Sequence, residues 1–208
     1  MIIRGRYQIA IGGALLGSER FQLLGHAIES EMVIERQDPP AVRQHLRITL
    51  DTARAPVEVE IAETWGGETT RGRFRIDRAA ATLRALVQPE VGASIERLLP
   101  FGEHSEIAHV SPLFTFVMLG RLRLRPGERR EVPLVELSRT TLMPEPARRR
   151  LTRLPDVELR TAGQGLMAAD YVLEGPLGET RFQTNLLGLP VRVRLSGGEA
   201  NVDYVLVE

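Results

Sequence analysis

The residues with the clearest chemical potential are four histidines, His26, His45, His104 and His109. His104 and His109 are five positions apart, so a helix would not place them on one face as it does a metal-binding pair four positions apart. A hydrolase or isomerase acting on lipid-like substrates would need two or more of these histidines to meet acidic side chains in one cleft. We therefore assign no catalytic residue, no metal site and no cofactor, and an enzyme is the least favoured interpretation.

Several other kinds of chemistry are excluded by composition. The chain has no G-x-S-x-G nucleophile motif, and it has no lysine for a phosphate-binding loop, because all 27 basic residues are arginine. It also has no cysteine, which excludes disulfides, zinc–thiolate sites and thiol nucleophiles. The 27 acidic residues bring the net charge to zero, which argues against nucleic acid as a partner and against a polybasic membrane patch.

Arginines alternate with other residues in three segments, namely 71–75, 121–125 and 192–194. One interpretation is the solvent face of a sheet on which arginines pair weakly with glutamates of neighbouring strands. The other is a site for an anionic headgroup at the rim of a cavity, because guanidinium groups bind phosphate and carboxylate well. The candidates for such a site are Arg73, Arg123 and Arg192.

The most apolar segment of the chain, residues 109–120, predicts a short helix. Ser111 suits the N-cap position, Pro112 the first helical position and Gly120 the position after the helix. A helix that is apolar on nearly all sides must be buried on several of them. It therefore either fills the space beside a sheet or lines a pocket there.

Six apolar side chains are candidates for contact with an apolar ligand: Trp65, Phe114, Phe116, Val117, Met118 and Leu119. The alternative for the five in the central segment is ordinary packing of a helix against a sheet. Trp65 precedes Gly66-Gly67 at a predicted hairpin end, where it would cover either a pocket mouth or the end of the core.

The rest of the chain shows the period of two that is typical of half-buried strands, most clearly at residues 42–51. Gly25 is interpreted as a bend within one strand, residues 94–101 as a strand, and residues 143–150 as an exposed loop because they hold two prolines and three arginines. The pattern predicts a mainly β protein, a single strongly curved antiparallel sheet forming an open half-barrel, with the one short helix on its concave face.

A single domain is expected over residues 1–208, with an internal repeat of residues 48–77 in residues 182–207. In each copy an Asp or Asn, Asp51 or Asn185, stands five positions before a proline at a strand start. Two copies of a common hairpin design are the alternative, since Asx residues, proline and paired glycines recur in turns.

Several short motifs resemble the DUF3108 family of bacterial proteins, and they are Gly5-Arg6-Tyr7, Gly12-Gly13, Gly17-Ser18-Glu19, Ser111-Pro112-Leu113 and Phe182…Asn185…Gly188-Leu189-Pro190-Val191-Arg192. That family is similar in fold to the lipoprotein carriers LolA and LppX. The resemblance implies a half-barrel with a cavity for acyl chains or another apolar ligand. The chain departs from it in showing no signal peptide.

The leading functional hypothesis is a soluble protein that binds a lipid or other apolar molecule between the curved sheet and the central helix. The alternative is a non-enzymatic structural or interaction module with a filled core, for which a homodimer is a natural state. The chain has no run of about 18 apolar residues, so no membrane span is predicted. The expected location is cytoplasmic, or periplasmic or extracellular if the sequence is a trimmed precursor.

Overall fold

The fold was analysed in a computed structural model that describes residues 2–35, 41–161, 164–175, 178–196 and 201–207. Strands make up 67% of the chain and one short helix accompanies them, which confirms the mainly β prediction. The strands are β1 (Ile2–Ile11), β2 (Ala14–Leu24), β3 (Ala27–Ile34), β4 (Val42–Leu50), β5 (Pro56–Trp65), β6 (Glu68–Asp77), β7 (Thr82–Pro89), β8 (Ile95–Pro100), β9 (Glu106–Ala108), β10 (Arg129–Leu137), β11 (Pro144–Arg153), β12 (Val157–Thr161), β13 (Gln164–Gly175), β14 (Gly178–Thr184), β15 (Pro190–Ser196) and β16 (Val202–Leu206). The helix α1 (Pro112–Leu122) lies between β9 and β10.

The described strands form a single large open sheet. From edge to edge its order is β8-β7-β6-β5-β4-β3-β2-β1-β16-β15-β14-β13-β11-β10-β9, with β12 paired only to β13. Neighbours are antiparallel except β9 and β10, which are parallel. The two edge strands, β8 and β9, do not pair with each other, so the sheet is not closed.

Alternation of buried and exposed residues gives the sheet an inner face and an outer face. In β4 the buried residues alternate with exposed or half-exposed ones along the whole strand. The buried apolar side chains of the strands and of α1 belong to one hydrophobic cluster. We call the face that carries this cluster the inner face and the opposite one the outer face.

The helix begins as predicted and ends later than predicted. Ser111 is the N-cap and its hydroxyl accepts a hydrogen bond from the Leu113 amide at 3.2 Å. The helix does not stop at Gly120, because Leu122 is buried in the core and Arg123 takes the left-handed conformation that ends it, with φ of 39°. Burial of one further leucine thus outweighs the local preference for ending at glycine.

Two other local predictions are wrong. Gly25, with φ of 60°, does not bend one strand but lies in the tight turn that separates β2 from β3. Residues 143–150 are not a loop, since most of them belong to β11. The prolines of β11 are tolerated because residues 144–149 pair with β10 alone, and β13 pairs only with Arg150–Arg153. The prediction of a strand at residues 94–101 is confirmed by β8.

Polar contacts connect β9 and α1 to the segment after β6, and we call Arg78, Glu103, Glu106 and Arg121 the seam cluster. Arg78 and Arg121 each donate to the Glu103 carbonyl at 3.0 Å. Arg121 also forms an ion pair with the buried Glu106 carboxylate. Because Glu106 lies on β9, Arg121 on α1 and Arg78 just after β6, the cluster links both ends of the sheet through residues 101–105.

The two segments of the predicted repeat have the same turn chemistry at their starts. The Asp51 carboxylate accepts a hydrogen bond from the Ala55 amide at 2.8 Å, and the Asn185 side-chain oxygen accepts one from the Leu189 amide at 3.1 Å. In both, the strand pairing shifts register beside the following proline, Pro56 or Pro190. Gly197-Gly198 of the second copy lies outside the described residues, and the internal repeat stays a prediction.

Within the described residues, none of the helical structure is both long and apolar enough to cross a bilayer.

Candidate functional site

A pocket of about 530 Å³ lies between α1 and the second half of the sheet, and we call it the inner pocket. Its size falls in the range of roughly 300–1,000 Å³ that is typical of small-molecule sites. Its walls come from α1, from β9 and the residues between β9 and α1, and from β10, β11 and β13–β16. The apolar lining includes Phe114, Met118, Leu137, Val193, Leu195 and Val202.

The polar groups of the inner pocket are mostly uncharged or paired. Hydroxyls of Thr115, Ser138, Thr180 and Ser196 line it. The Arg149 guanidinium binds the Glu136 carboxylate through two hydrogen bonds of 2.6 and 2.8 Å, so these two charges offset each other. The remaining charged side chains of the lining are Arg139, Glu145 and Glu179.

His109 forms part of the wall near the start of the helix. Its side chain is fully buried, and burial followed by the charge of Arg139 lowers its pKa to about 3, so the imidazole is neutral at ordinary pH. Gln44 Nε2 lies 3.3 Å from Nδ1 and can only donate, which leaves the proton on Nε2. That nitrogen lies 3.5 Å from a Glu63 carboxylate oxygen.

Behind His109 a line of buried polar side chains crosses β2, β4 and β5, and we call Glu19, Gln44 and Glu63 the inner polar row. Register places Glu19 opposite Met32, Met32 opposite Gln44, and Gln44 opposite Glu63. Glu63 accepts hydrogen bonds from Trp65 Nε1 and, at 3.0 Å, from Gln44 Nε2. Burial raises the pKa of Glu63, and these two hydrogen bonds oppose that rise.

Glu19 anchors the helix to the sheet. It is fully buried, and its Oε1 accepts hydrogen bonds from the hydroxyls of Ser30 at 2.8 Å and Ser111 at 2.7 Å. Burial raises the pKa of Glu19 to about 7, against the lowering effect of the two hydroxyls. Because Ser111 is also the N-cap, the Ser111 side chain fixes both the start of α1 and the position of the helix over β2.

The six apolar candidates lie in three different surroundings. Phe114 and Met118 line the inner pocket. Val117 and Leu119 are buried in the core, and Phe116 is partly buried against it. Trp65 is also partly buried and donates to Glu63, as described above.

The three arginine candidates are far apart and none is among the side chains that line the inner pocket. Arg73 lies on the outer face of β6, where it binds Glu58 at 2.7 Å. Arg123 ends the helix. Arg192 lies on β15, with its guanidinium 3.8 Å from Asp203.

The histidines do not converge. His26 Nδ1 lies 3.2 Å from the Asp51 carbonyl, His45 is exposed 3.6 Å from Glu31, and His104 lies exposed in the segment between β8 and β9. Among the described residues no group of three or more His, Asp or Glu side chains is placed to hold a metal ion.

Sequence reasoning missed the hydroxyl lining of the pocket and the inner polar row. Gln44 stands two residues from the buried Val42 and Leu46, Glu19 two residues before the buried Phe21, and Glu63 two residues after the buried Ile61. A polar residue on the apolar side of an alternating strand is the signal that would have found them.

Comparison with known proteins shows the fold alone. No family model matches the chain, and no curated protein does. A beta-barrel-like protein of the domain of unknown function DUF1849 from Brucella abortus is similar over 99% of this chain and 95% of its own, with a TM-score of 0.63 and 9% identity. A DUF1089 family protein from Pseudomonas aeruginosa is similar over 83% of this chain and 86% of its own, with a TM-score of 0.59 and 18% identity.

The expected kinship with DUF3108 and with LolA and LppX is therefore wrong, because the structural neighbours belong to DUF1089 and DUF1849 and no family model supports it. Glycine, proline and N-cap motifs carried the resemblance. Such motifs report turn and helix-start geometry that unrelated β proteins share. What the comparisons support for this chain is a beta-barrel-like fold of families of unknown function.

Proposed function

We propose that this protein binds a small apolar molecule, or a single apolar chain with an uncharged polar end, in the inner pocket. The observation that carries the proposal is the pocket itself, about 530 Å³ of space with apolar side chains from α1 on one side and from β10, β13, β15 and β16 on the other. Burial of apolar ligand surface there is favourable by about 25 cal/mol per Å².

The polar lining supports an uncharged end rather than an acidic one. The fixed Arg149–Glu136 pair offers little net charge, and Glu145 and Glu179 outnumber Arg139, so the remaining charges of the lining disfavour a carboxylate or phosphate. Threonine and serine hydroxyls at the pocket can donate to or accept from a neutral oxygen group. Arg123 and Arg192 lie elsewhere and have no part in this proposal.

The test uses N-phenylnaphthylamine, an uncharged apolar fluorophore, with the purified full chain and a Thr115→Trp variant. Thr115 is half-buried and lines the pocket, so an indole there occupies ligand space without removing a core residue. We expect the variant to bind the fluorophore about tenfold more weakly, a change of roughly 1.4 kcal/mol. Solvent extracts of the native protein, analysed by mass spectrometry, then identify the ligand.

Met167→Trp is the matched control, because Met167 is 54% exposed on β13 and does not line the pocket. It should bind the fluorophore as the unchanged protein does, and circular dichroism should show both variants folded. Equal affinity of all three proteins, with no ligand in the extract, would reject the proposal. That result would favour the interaction module, whose homodimer would then be sought by light scattering.

A further inference from the structure

A second cleft, of about 1010 Å³, crosses the outer face of the first half of the sheet, and we call it the outer groove. Its walls include side chains of β1 at one end and of β7 at the other. One groove therefore spans seven neighbouring strands. The inner pocket shares none of its lining residues.

The register shows that the groove is built from two rows of directly opposed residues. The first row runs from Arg6 and Arg20 through Glu31, His45 and Ala62 to Arg71. The second runs from Arg4 through Gln22, Glu29, Arg47 and Glu60 to Arg73. Six arginines but only three glutamates thus line the groove.

The second row is largely neutralised within itself. Arg47 lies 3.8 Å from Glu29, and Arg73 lies 3.4 Å from Glu60 and 2.7 Å from Glu58. Arginine–glutamate pairs of this kind are ordinary on the outer face of a sheet.

The first row differs, since Arg20 and Arg71 have no carboxylate of the described residues within ion-pair distance. Arg20 stands opposite Arg6 on one side, and Glu31 on its other side lies 3.6 Å from His45 instead. Arg71 stands between Ala62 and Gln88, neither of which carries charge. Arg20 and Arg71 therefore both line the groove, near its two ends, without a carboxylate partner among the described residues.

We propose that the outer groove binds an elongated molecule with several anionic groups, phosphates or carboxylates, which Arg20 and Arg71 of the first row hold near the two ends of the groove. Arg20 lies on β2 and Arg71 on β6, and strands about 4.8 Å apart put them up to roughly 19 Å from each other along the sheet. A single small anion cannot reach both, so the ligand carries its charges at intervals. Guanidinium forks bind phosphate and carboxylate oxygens in pairs, which suits both chemistries.

The test is isothermal titration calorimetry at low ionic strength with three probes: inorganic phosphate, a linear hexaphosphate and hexagalacturonate. We expect at least one of the two oligoanions to bind at least about tenfold more tightly than inorganic phosphate, because two sites act together. The oligoanion that binds more tightly indicates whether the anionic groups of the natural ligand are phosphates or carboxylates. The double variant Arg20→Gln/Arg71→Gln should lower the affinity for that oligoanion by about tenfold or more.

Arg43→Gln is the matched control, because Arg43 is exposed on the same face of β4 but does not line the groove. It should change the affinity less than about twofold, as removal of a distant exposed charge does. An equal loss in the control would show general attraction to a basic face and overturn the proposal. Absence of oligoanion binding to the unchanged protein at millimolar concentration would overturn it as well, whatever the inner pocket binds.

Discussion

At the scale of single residues, Glu19 makes the stability of the fold depend on pH. Burial raises its pKa to about 7 in the folded protein, from a reference value of 4.5. Between these two values the folded protein holds a proton that the unfolded chain has lost. The stabilisation from Glu19 is therefore fully present below about pH 4.5 and is lost as the pH rises through about 7.

A Glu19→Gln variant should lack this dependence while its side-chain oxygen still accepts hydrogen bonds from Ser30 and Ser111. Between pH 4.5 and 8 we expect the free energy of unfolding of the unchanged protein to fall by on the order of 3 kcal/mol relative to the variant. Urea denaturation at a series of pH values measures it. Other buried groups, including His109, whose lowered pKa acts in the opposite sense, are common to both proteins and cancel in the difference.

Glu131→Gln is the control for the loss of one carboxylate, since Glu131 is exposed on β10. Its stability should run parallel to that of the unchanged protein across the whole pH range. If the stability of the Glu19→Gln variant also runs parallel to that of the unchanged protein across the pH range, Glu19 is ionised in the folded protein and the interpretation of its burial is wrong.

At the scale of elements, the helix depends on Ser111 for two separate interactions. Ser111→Ala removes the acceptor for the Leu113 amide and a donor to Glu19. We expect a loss of about 1–3 kcal/mol in the free energy of unfolding, from the lost cap together with the lost buried hydrogen bond. It should also raise the pKa of Glu19 further, which moves the pH dependence upward.

Ser111→Thr, which keeps the hydroxyl, should recover most of the stability, and Ser94→Ala at an exposed position should have no effect. A Ser111→Ala protein as stable as the parent would show that packing alone holds the helix in place.

The same helix shows what a sequence can and cannot predict about an element. Its start is predictable because Ser111 and Pro112 act locally on the first turn. Its end is not, because burial of Leu122 depends on strands distant in the chain. Likewise the prolines of β11 suggested a loop, and only the pairing of β11 with β10 shows why a strand accepts them.

At the scale of the whole molecule, the seam cluster connects β9 and α1 to the segment after β6. Burial raises the pKa of Glu106 to about 7, and the charges of Arg121 and Arg78 lower it. Arg121→Gln should cost about 3 kcal/mol in the free energy of unfolding, because the Glu106 side chain, 2% exposed, loses its ion-pair partner.

A double variant, Glu106→Leu/Arg121→Leu, should lose less stability than the single variants Glu106→Leu and Arg121→Leu together, since no charge is then left buried without a partner. Urea denaturation of the four proteins gives the coupling energy. Strictly additive losses would show that the ion pair does not couple β9 to α1.

The sequence does not predict the inner pocket or the outer groove, for one reason. The period of two indicates that Arg20 and Arg71 face solvent, and the structure agrees. It does not indicate which strands are neighbours, so it cannot place residues of β2 and β6 in one groove.

The pairing of β1 with β16 has a consequence for how the chain folds. Read from β9 through β16 and on from β1 to β8, the order of the described strands in the sheet is the order of the chain with its starting point moved, apart from β12. Nearly all strand pairs thus form between sequence neighbours, and the ladder from Tyr7–Leu206 to Ile11–Val202 joins segments from opposite ends of the sequence. Closing so long a loop is slow. A circular permutant whose original ends are linked beside that ladder, and whose new ends lie between residues 102 and 104, should therefore fold faster to the same structure.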